Sequence, residues 1–218
     1  MAERSKKLQS AVIIFALALL VLLLAITLLT FLPQDLSDIE GRNLSGVEKA
    51  TPRDLKQVLK TGLDRELRVS LTEKEINEYL TEKIKGSQEG PLGKYVSYRG
   101  IWVRLNEGSI DLIFERVVFN RPHTIALRIS LAQTIDGENR MTSTPDWEGG
   151  RLGQLPVREG YLHSVMSSVQ EFQEVLAPEF DLIKTYLEGR ATISITEDRI
   201  DFTPVSYTHL TLPTIYSV

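Results

Sequence analysis

Residues 11–32 form an unbroken run of 22 without a charged side chain, nearly all of them Ala, Val, Ile, Leu or Phe. Wound as a helix at about 1.5 Å per residue, such a run is about 33 Å long, enough to cross a hydrocarbon core of roughly 30 Å. A helix packed inside a protein would carry a polar stripe, and this one offers only Thr27 and Thr30. A cleavable signal peptide has a shorter apolar stretch, about 7–15 residues, ending in a small-x-small site. Here the run leads instead into Phe31, Leu32, Pro33, Gln34 and Asp35. The pattern predicts an uncleaved transmembrane helix over 11–32, with 1–10 as a short N-terminal extension.

Charge orients that helix. Arg4, Lys6 and Lys7 against Glu3 give the extension a net charge of +2, while Asp35, Asp38 and Glu40 follow the apolar run. Positive residues stay on the cytoplasmic side. The N-terminus is therefore expected in the cytoplasm and the main domain outside it, at an inner or plasma membrane. The whole chain carries 25 Lys+Arg and 29 Asp+Glu, a net charge of -4; setting aside the +2 leaves -6 beyond the span. So acidic a body argues against a polybasic membrane-surface role and against a nucleic-acid partner. With no cysteine in the chain, disulfide scaffolds, thiol nucleophiles and Cys-based metal sites are excluded.

Residues 33–50 are polar and acidic, with Gly41 and Gly46 and little periodicity, and read as a linker. As a coil it would span about 23 Å. Residues 51–204 read as one α+β domain. Thr51-Pro52-Arg53-Asp54 has the form of a helix start, with the helix running to about Lys60. Leu67, Val69 and Leu71 alternate as in a strand, and Thr72 with Glu75 three positions on makes a capping box. Ile76, Tyr79, Leu80 and Ile84 then share one face of a helix ending before Gly86. From Lys94 the period changes to two: strands around Ile101–Leu105, Ser109–Phe119, Ile125–Ile135 and Asn139–Thr144 are separated by turns at Asn106-Glu107-Gly108, Asn120-Arg121-Pro122 and Asp136-Gly137. One apolar and one small or polar face predicts a curved antiparallel meander covered on one side. Gly149, Gly150 and Gly153 read as a loop, and Pro156 as the opening of a long amphipathic helix. That helix breaks at Pro178 and resumes to Gly189. A hairpin follows, Ala191–Ile195 with Arg199–Phe202.

Residues that could carry chemistry are few. His123 at a strand entry and His163 beside the helical stripe lack the ligand spacing of a metal site, and both read as exposed or edge histidines. Ser164, Ser167 and Ser168 lie on a helix without a Gly-x-Ser-x-Gly or Ser-x-x-Lys arrangement. Glu73/Glu75 and Glu171/Glu174 read as solvated helix faces. The glycines at 149, 150 and 153 lack a P-loop Lys-Ser/Thr and suit a backbone corner. Tyr95, Tyr98 and Trp102 beside Lys94, Arg99 and Arg104 read as cross-strand packing. No cofactor is implied.

Val69-Ser70-Leu71-Thr72-Glu73-Lys74-Glu75-Ile76-Asn77-Glu78-Tyr79-Leu80, and Gly153-Gln154-Leu155-Pro156 ahead of a long helix, together with the N-terminal span and acidic linker, resemble the YpmS-like family. These are bacterial single-pass envelope proteins with lipid-binding tubular (TULIP-like) relatives. The resemblance implies an envelope location and architecture and carries over no catalytic residues. With it, the breadth of the stripe makes Leu162, Val165, Met166, Val169 and Phe172 candidates to line a site for a lipid or acyl chain, Met and Phe being adaptable packers. The alternative is a scaffold or accessory subunit that binds envelope proteins. A hydrolase assembled from scattered residues is the third reading. Residues 205–218 begin Val-Ser-Tyr-Thr-His-Leu-Thr-Leu-Pro-Thr, which resembles one translated frame of a transposase-type sequencing adapter. The natural chain is thus expected to read to about Pro204, His209 to carry no role, and the source to be bacterial.

Overall fold

The computed structural model describes residues 2–42, 52–83, 96–135, 141–158 and 176–205. Helix α1, Ala2–Phe31, contains the stretch Gln9–Phe31, 23 residues long and apolar enough to cross a membrane. Its side chains face outward: Phe15 is 71% exposed and Leu28 67%. Thr27 and Thr30 do not break this surface, because their hydroxyls donate back to the Leu23 and Ile26 carbonyls, both at 2.8 Å.

The remaining elements form an α+β fold with two open antiparallel sheets. Helix α2, Leu55–Arg65, starts later than Thr51-Pro52 suggested, because the Asp54 carboxylate accepts from the Gln57 amide at 3.1 Å and caps it. Strand β1, Val69–Thr72, runs directly into α3, Glu73–Lys83. The capping box is formed in both directions: Glu75 N donates to Thr72 Oγ1, and Thr72 N to Glu75 Oε2. Strands β2 (Val96–Asn106), β3 (Ser109–Val118), β4 (Arg121–Ile135), β5 (Met141–Leu152) and β6 (Leu155–Val157) pair in chain order as a five-stranded meander. Helix α4, Ala177–Thr185, leads through a π turn at Tyr186–Arg190 into β7 (Ala191–Ile195) and β8 (Arg199–Pro204).

The expected antiparallel meander is present, and β1, β8 and β7 form a second sheet, with Val69 opposite Phe202 and Thr72 opposite Arg199. Two expectations are corrected. Residues 149–152 are strand rather than loop, continuing β5 past a bulge where Glu148 is the extra residue opposite Arg128 and Ile129. Pro156 opens no helix; it lies in β6 opposite Arg151, at a sheet edge where a missing N–H is tolerated. Pro178 sits in the first turn of α4, where its ring suits the backbone. The expected long helix between them falls on 159–175, outside the described residues.

The principal core lies between the sheets and the helices. Leu55 and Leu59 of α2, Tyr79 and Leu80 of α3, Ile101, Val103, Phe114, Ile125 and Leu127 of the large sheet, and Ile193, Ile200 and Phe202 of the small one form one buried cluster. Strand alternation leaves Trp102, Ile113 and Ala126 on the opposite face. That face is covered too, by Leu36 and Ile39 from the segment after α1.

Candidate functional site

The most elaborate chemistry among the described residues lies where the end of α1 and residues 33–42 meet the large sheet. This segment was expected to be free linker. Instead Leu36 and Ile39 are buried, 4% and 5% exposed, against Trp102, Ile113 and Ala126. A ten-residue strap has too few apolar side chains to bury a core of its own, so its position is set by directed polar contacts.

Those contacts begin at the end of α1. The last carbonyls of a helix lack partners within it. Here the Gln154 amide donates to the Leu29 carbonyl at 2.9 Å, and the Gly153 amide to the Thr124 carbonyl at 2.8 Å. Gly153 has φ +59, and a Cβ there would lie 2.3 Å from the Thr30 oxygen, so only glycine lets the β5–β6 turn reach the helix end. His123 completes this contact. Its ring meets Phe31 edge-on at 6.0 Å between centroids, Arg116 Nε donates to its Nδ1 at 3.2 Å, and it donates to the Thr30 backbone. The sequence suggested an exposed or edge histidine. It is in fact 3% exposed, and burial, then the Arg116 charge, push its pKa down to about 4. The ring is therefore neutral at physiological pH.

Beyond the helix end, the Gln34 amide donates to Thr124 Oγ1 at 2.9 Å, and Arg104 Nη2 reaches the Asp35 carbonyl at 2.8 Å and the Asp38 carboxylate at 2.7 Å. The strap's far end is held by two polar groups one helical turn apart on α3. Glu73 accepts from the Glu40 amide at 2.9 Å and the Leu105 amide at 2.8 Å. Asn77, wholly buried, donates to the Glu40 carbonyl at 2.8 Å and the Val103 carbonyl at 2.9 Å while accepting from the Val103 amide at 2.7 Å. Strand β2 is the edge of its sheet, and these side chains occupy the hydrogen-bonding positions a further strand would fill. Glu73 was read as part of a solvated face; it is 5% exposed, and burial raises its pKa against the lowering pull of the Leu105 and Glu40 amides. Gly41, at φ +80 with a virtual Cβ 2.9 Å from the Lys74 carbonyl, carries the chain past α3. Arg42 then pairs with both oxygens of Glu115, at 3.0 and 3.2 Å, and Trp102 Nε1 donates to the same carboxylate at 2.9 Å.

Tyr79 donates to Glu179 of α4, and burial, then that carboxylate, raise the Tyr79 pKa. Trp102 and Arg99 turn to the Glu115 carboxylate and Arg104 to that of Asp38, whereas Lys94 and Tyr95 lie outside the described residues. Among the described residues no group of three His, Cys, Asp or Glu side chains could hold a metal. The candidate lipid-lining residues Leu162, Val165, Met166, Val169 and Phe172 lie outside the described residues, as do His163, Ser164, Ser167, Ser168, Glu171, Glu174 and His209.

Sequence reasoning passed over Glu73, Asn77, Arg42 and Glu115 as site residues. The available signal was Glu73 and Asn77 at i,i+4 spacing: two polar groups stacked on one side of a helix, beside the apolar Ile76 and Leu80. The chain matches no protein-family model and no curated protein.

Proposed function

We propose that the chain is a single-span protein of a bacterial inner or plasma membrane, with its N-terminus in the cytoplasm and its α+β domain outside, acting by binding rather than by catalysis. The observation that carries this reading is the grip of the sheet on the end of an outward-facing apolar helix, through Gln154 on Leu29 and His123 on Thr30. Such a junction holds a domain at a set height and tilt above a bilayer, which a flexible leash would not do. The buried carboxylates nearby are engaged by backbone amides and guanidinium groups, as Glu73 and Glu115 are, which favours a structural over an acid–base role. The ligand assigned is a lipid or acyl chain on the stripe Leu162, Val165, Met166, Val169 and Phe172, in keeping with the YpmS-like resemblance. The second reading, a scaffold subunit of an envelope assembly, draws on the same rigid junction, since a held orientation suits docking to other proteins.

Protease added outside intact spheroplasts tests the topology: the domain is expected to be digested and the N-terminal extension protected. Native mass spectrometry of the full chain, released from detergent micelles, separates the two roles. A lipid that survives removal of the micelle in the wild type and is lost in Met166→Glu supports lipid binding. A lipid-free mass, together with a crosslinked membrane partner, supports the scaffold.

A further inference from the structure

The stretch of α1 able to cross a membrane ends at Phe31. Its 23 residues make about 34 Å of helix, against a hydrocarbon core of roughly 30 Å with a polar layer roughly 5–8 Å deep on each side. A group that touches the last turn of α1 therefore lies at the headgroup layer, whichever way the strands run from there. That turn is touched by the Gln154 amide on the Leu29 carbonyl, by Gly153 against the Thr30 oxygen and by the His123 ring against Phe31.

Around these contacts the charge of the chain is the reverse of its average. Residues 116–126 and 149–158 hold Arg116, Arg121, Arg151 and Arg158 and no Asp or Glu, while the whole chain stands at -4. Arg121 and Arg151 come nearest the helix: Arg121 is two residues before His123 and Arg151 two before Gly153, each a separation of about 7 Å at most. Both are exposed, and Arg151 is opposite Ala126, on the face that the strap crosses. Other arginines of that face are neutralised, Arg42 by Glu115, Arg104 by Asp38 and Arg128 by Asp111. Among the described residues no carboxylate pairs with Arg121 or Arg151. Asp35, the first acidic residue after the span, turns its carboxylate to the Ser37 amide at 3.0 Å, and Glu148 acts on Arg128.

We propose that Arg121 and Arg151 form a docking site for anionic phospholipid headgroups beside the end of α1. Guanidinium groups bind phosphate bidentately, and their long apolar stems let the charged heads reach along the interface. Basic residues close to a bilayer surface attract anionic lipids, so the site sets which lipids surround the helix where the domain is fastened to it. The acidic body then meets the membrane only through an acid-free rim. The inference rests on α1 being a membrane span.

Because the chain has no cysteine, Leu32→Cys, at a position 42% exposed just past the span, carries a single fluorophore. The full chain is reconstituted into phosphatidylcholine vesicles containing phosphatidylglycerol, with a nitroxide near the glycerol end of one lipid or the other. At equal mole fraction, labelled phosphatidylglycerol is expected to quench as though about threefold more concentrated around the fluorophore than labelled phosphatidylcholine. Salt at about 1 M should remove that excess, and so should Arg121→Gln combined with Arg151→Gln. Lys56→Gln with Lys60→Gln, an equal loss of charge at exposed positions of α2, should leave it in place. An excess that is absent from the wild type, unmoved by salt, retained in the arginine variant or lost equally in the lysine one overturns the headgroup site, while quenching by both lipids keeps the anchor standing. If neither lipid quenches the fluorophore, the span itself fails and the site with it.

Discussion

The two faces of the large sheet are covered by different means. On one, Ile101, Val103, Phe114, Ile125 and Leu127 join residues from both sheets and three helices in a continuous apolar cluster. Stabilisation there grows with buried area and does not depend on any single contact. On the other, the apolar cluster is Leu36, Ile39, Trp102, Ile113 and Ala126, framed by Arg42–Glu115, Arg104–Asp38 and the Glu73–Asn77 grip on Glu40. Hydrophobic burial is nondirectional, so a short strap resting two apolar side chains on three of the sheet could slide. Groups that bind particular backbone amides and carbonyls select one register, and the strap thereby transmits the position of α1 to the domain. The lesson is that a small interface needs polar contacts for specificity, where a large core does not.

That contrast can be broken or sharpened by experiment. The largest effect is expected on the apolar face: Leu127→Ala should cost about 3 kcal/mol of global stability, read as a lower urea midpoint in detergent, with strap and sheet unfolding together. Asn77→Ala should cost about 2 kcal/mol, because the Val103 amide is left buried and unbonded. It should also expose residues 33–42 to limited proteolysis. If the midpoint falls and the strap remains protected, the grip on Glu40 is not what holds it. Ile39→Ala, on the strap side, should cost about 1.5 kcal/mol and appear chiefly as faster amide exchange in 33–42, with the small sheet unchanged. Equal acceleration throughout would show that the two faces form one cooperative unit.

The smallest effect concerns pH. His123 in the fold titrates at about 4, below its ordinary 6.5, so the unfolded chain takes up the proton first. The junction's stability is complete above about pH 6.5 and falls as acid is added, down to about pH 4. Near pH 5.5 the loss should be about 1 kcal/mol. Glu73 is shifted upward and so opposes this trend at lower pH, which makes the comparison with a variant necessary. His123→Phe should flatten the difference in strap protection between pH 7.5 and 5.5, while an unchanged pH dependence would place its origin elsewhere.

Much of the architecture was legible because it is local. The apolar run, the capping box at Thr72 and Glu75, the alternation through β2 to β4 and the closing hairpin each depend on residues a few positions apart, and each element exists in the fold. The misreadings came where distant partners decide. His123 looked like an edge residue because nothing near it in the chain announces that Phe31 and Thr30 arrive to cover it. Glu73 looked solvated because its two amide donors, from Glu40 and Leu105, lie more than thirty positions away on either side. Residues 33–42 looked like coil because only two of their side chains are buried apolar groups, and the remainder of what holds them is backbone, the Asp38 carboxylate and the Arg42 guanidinium, all with partners distant in the chain. The division of strands into two sheets turned on β1 pairing with β8, across most of the domain.

The sequence by itself determined that this chain carries a helix able to cross a bilayer and an antiparallel α+β body, because hydropathy and periodicity act over a single turn or strand. Only the tertiary structure decided that the body is fastened to that helix. The fastening is made of hydrogen bonds and close backbone approaches between residues as distant as Leu29 and Gln154, and no local propensity encodes such a meeting.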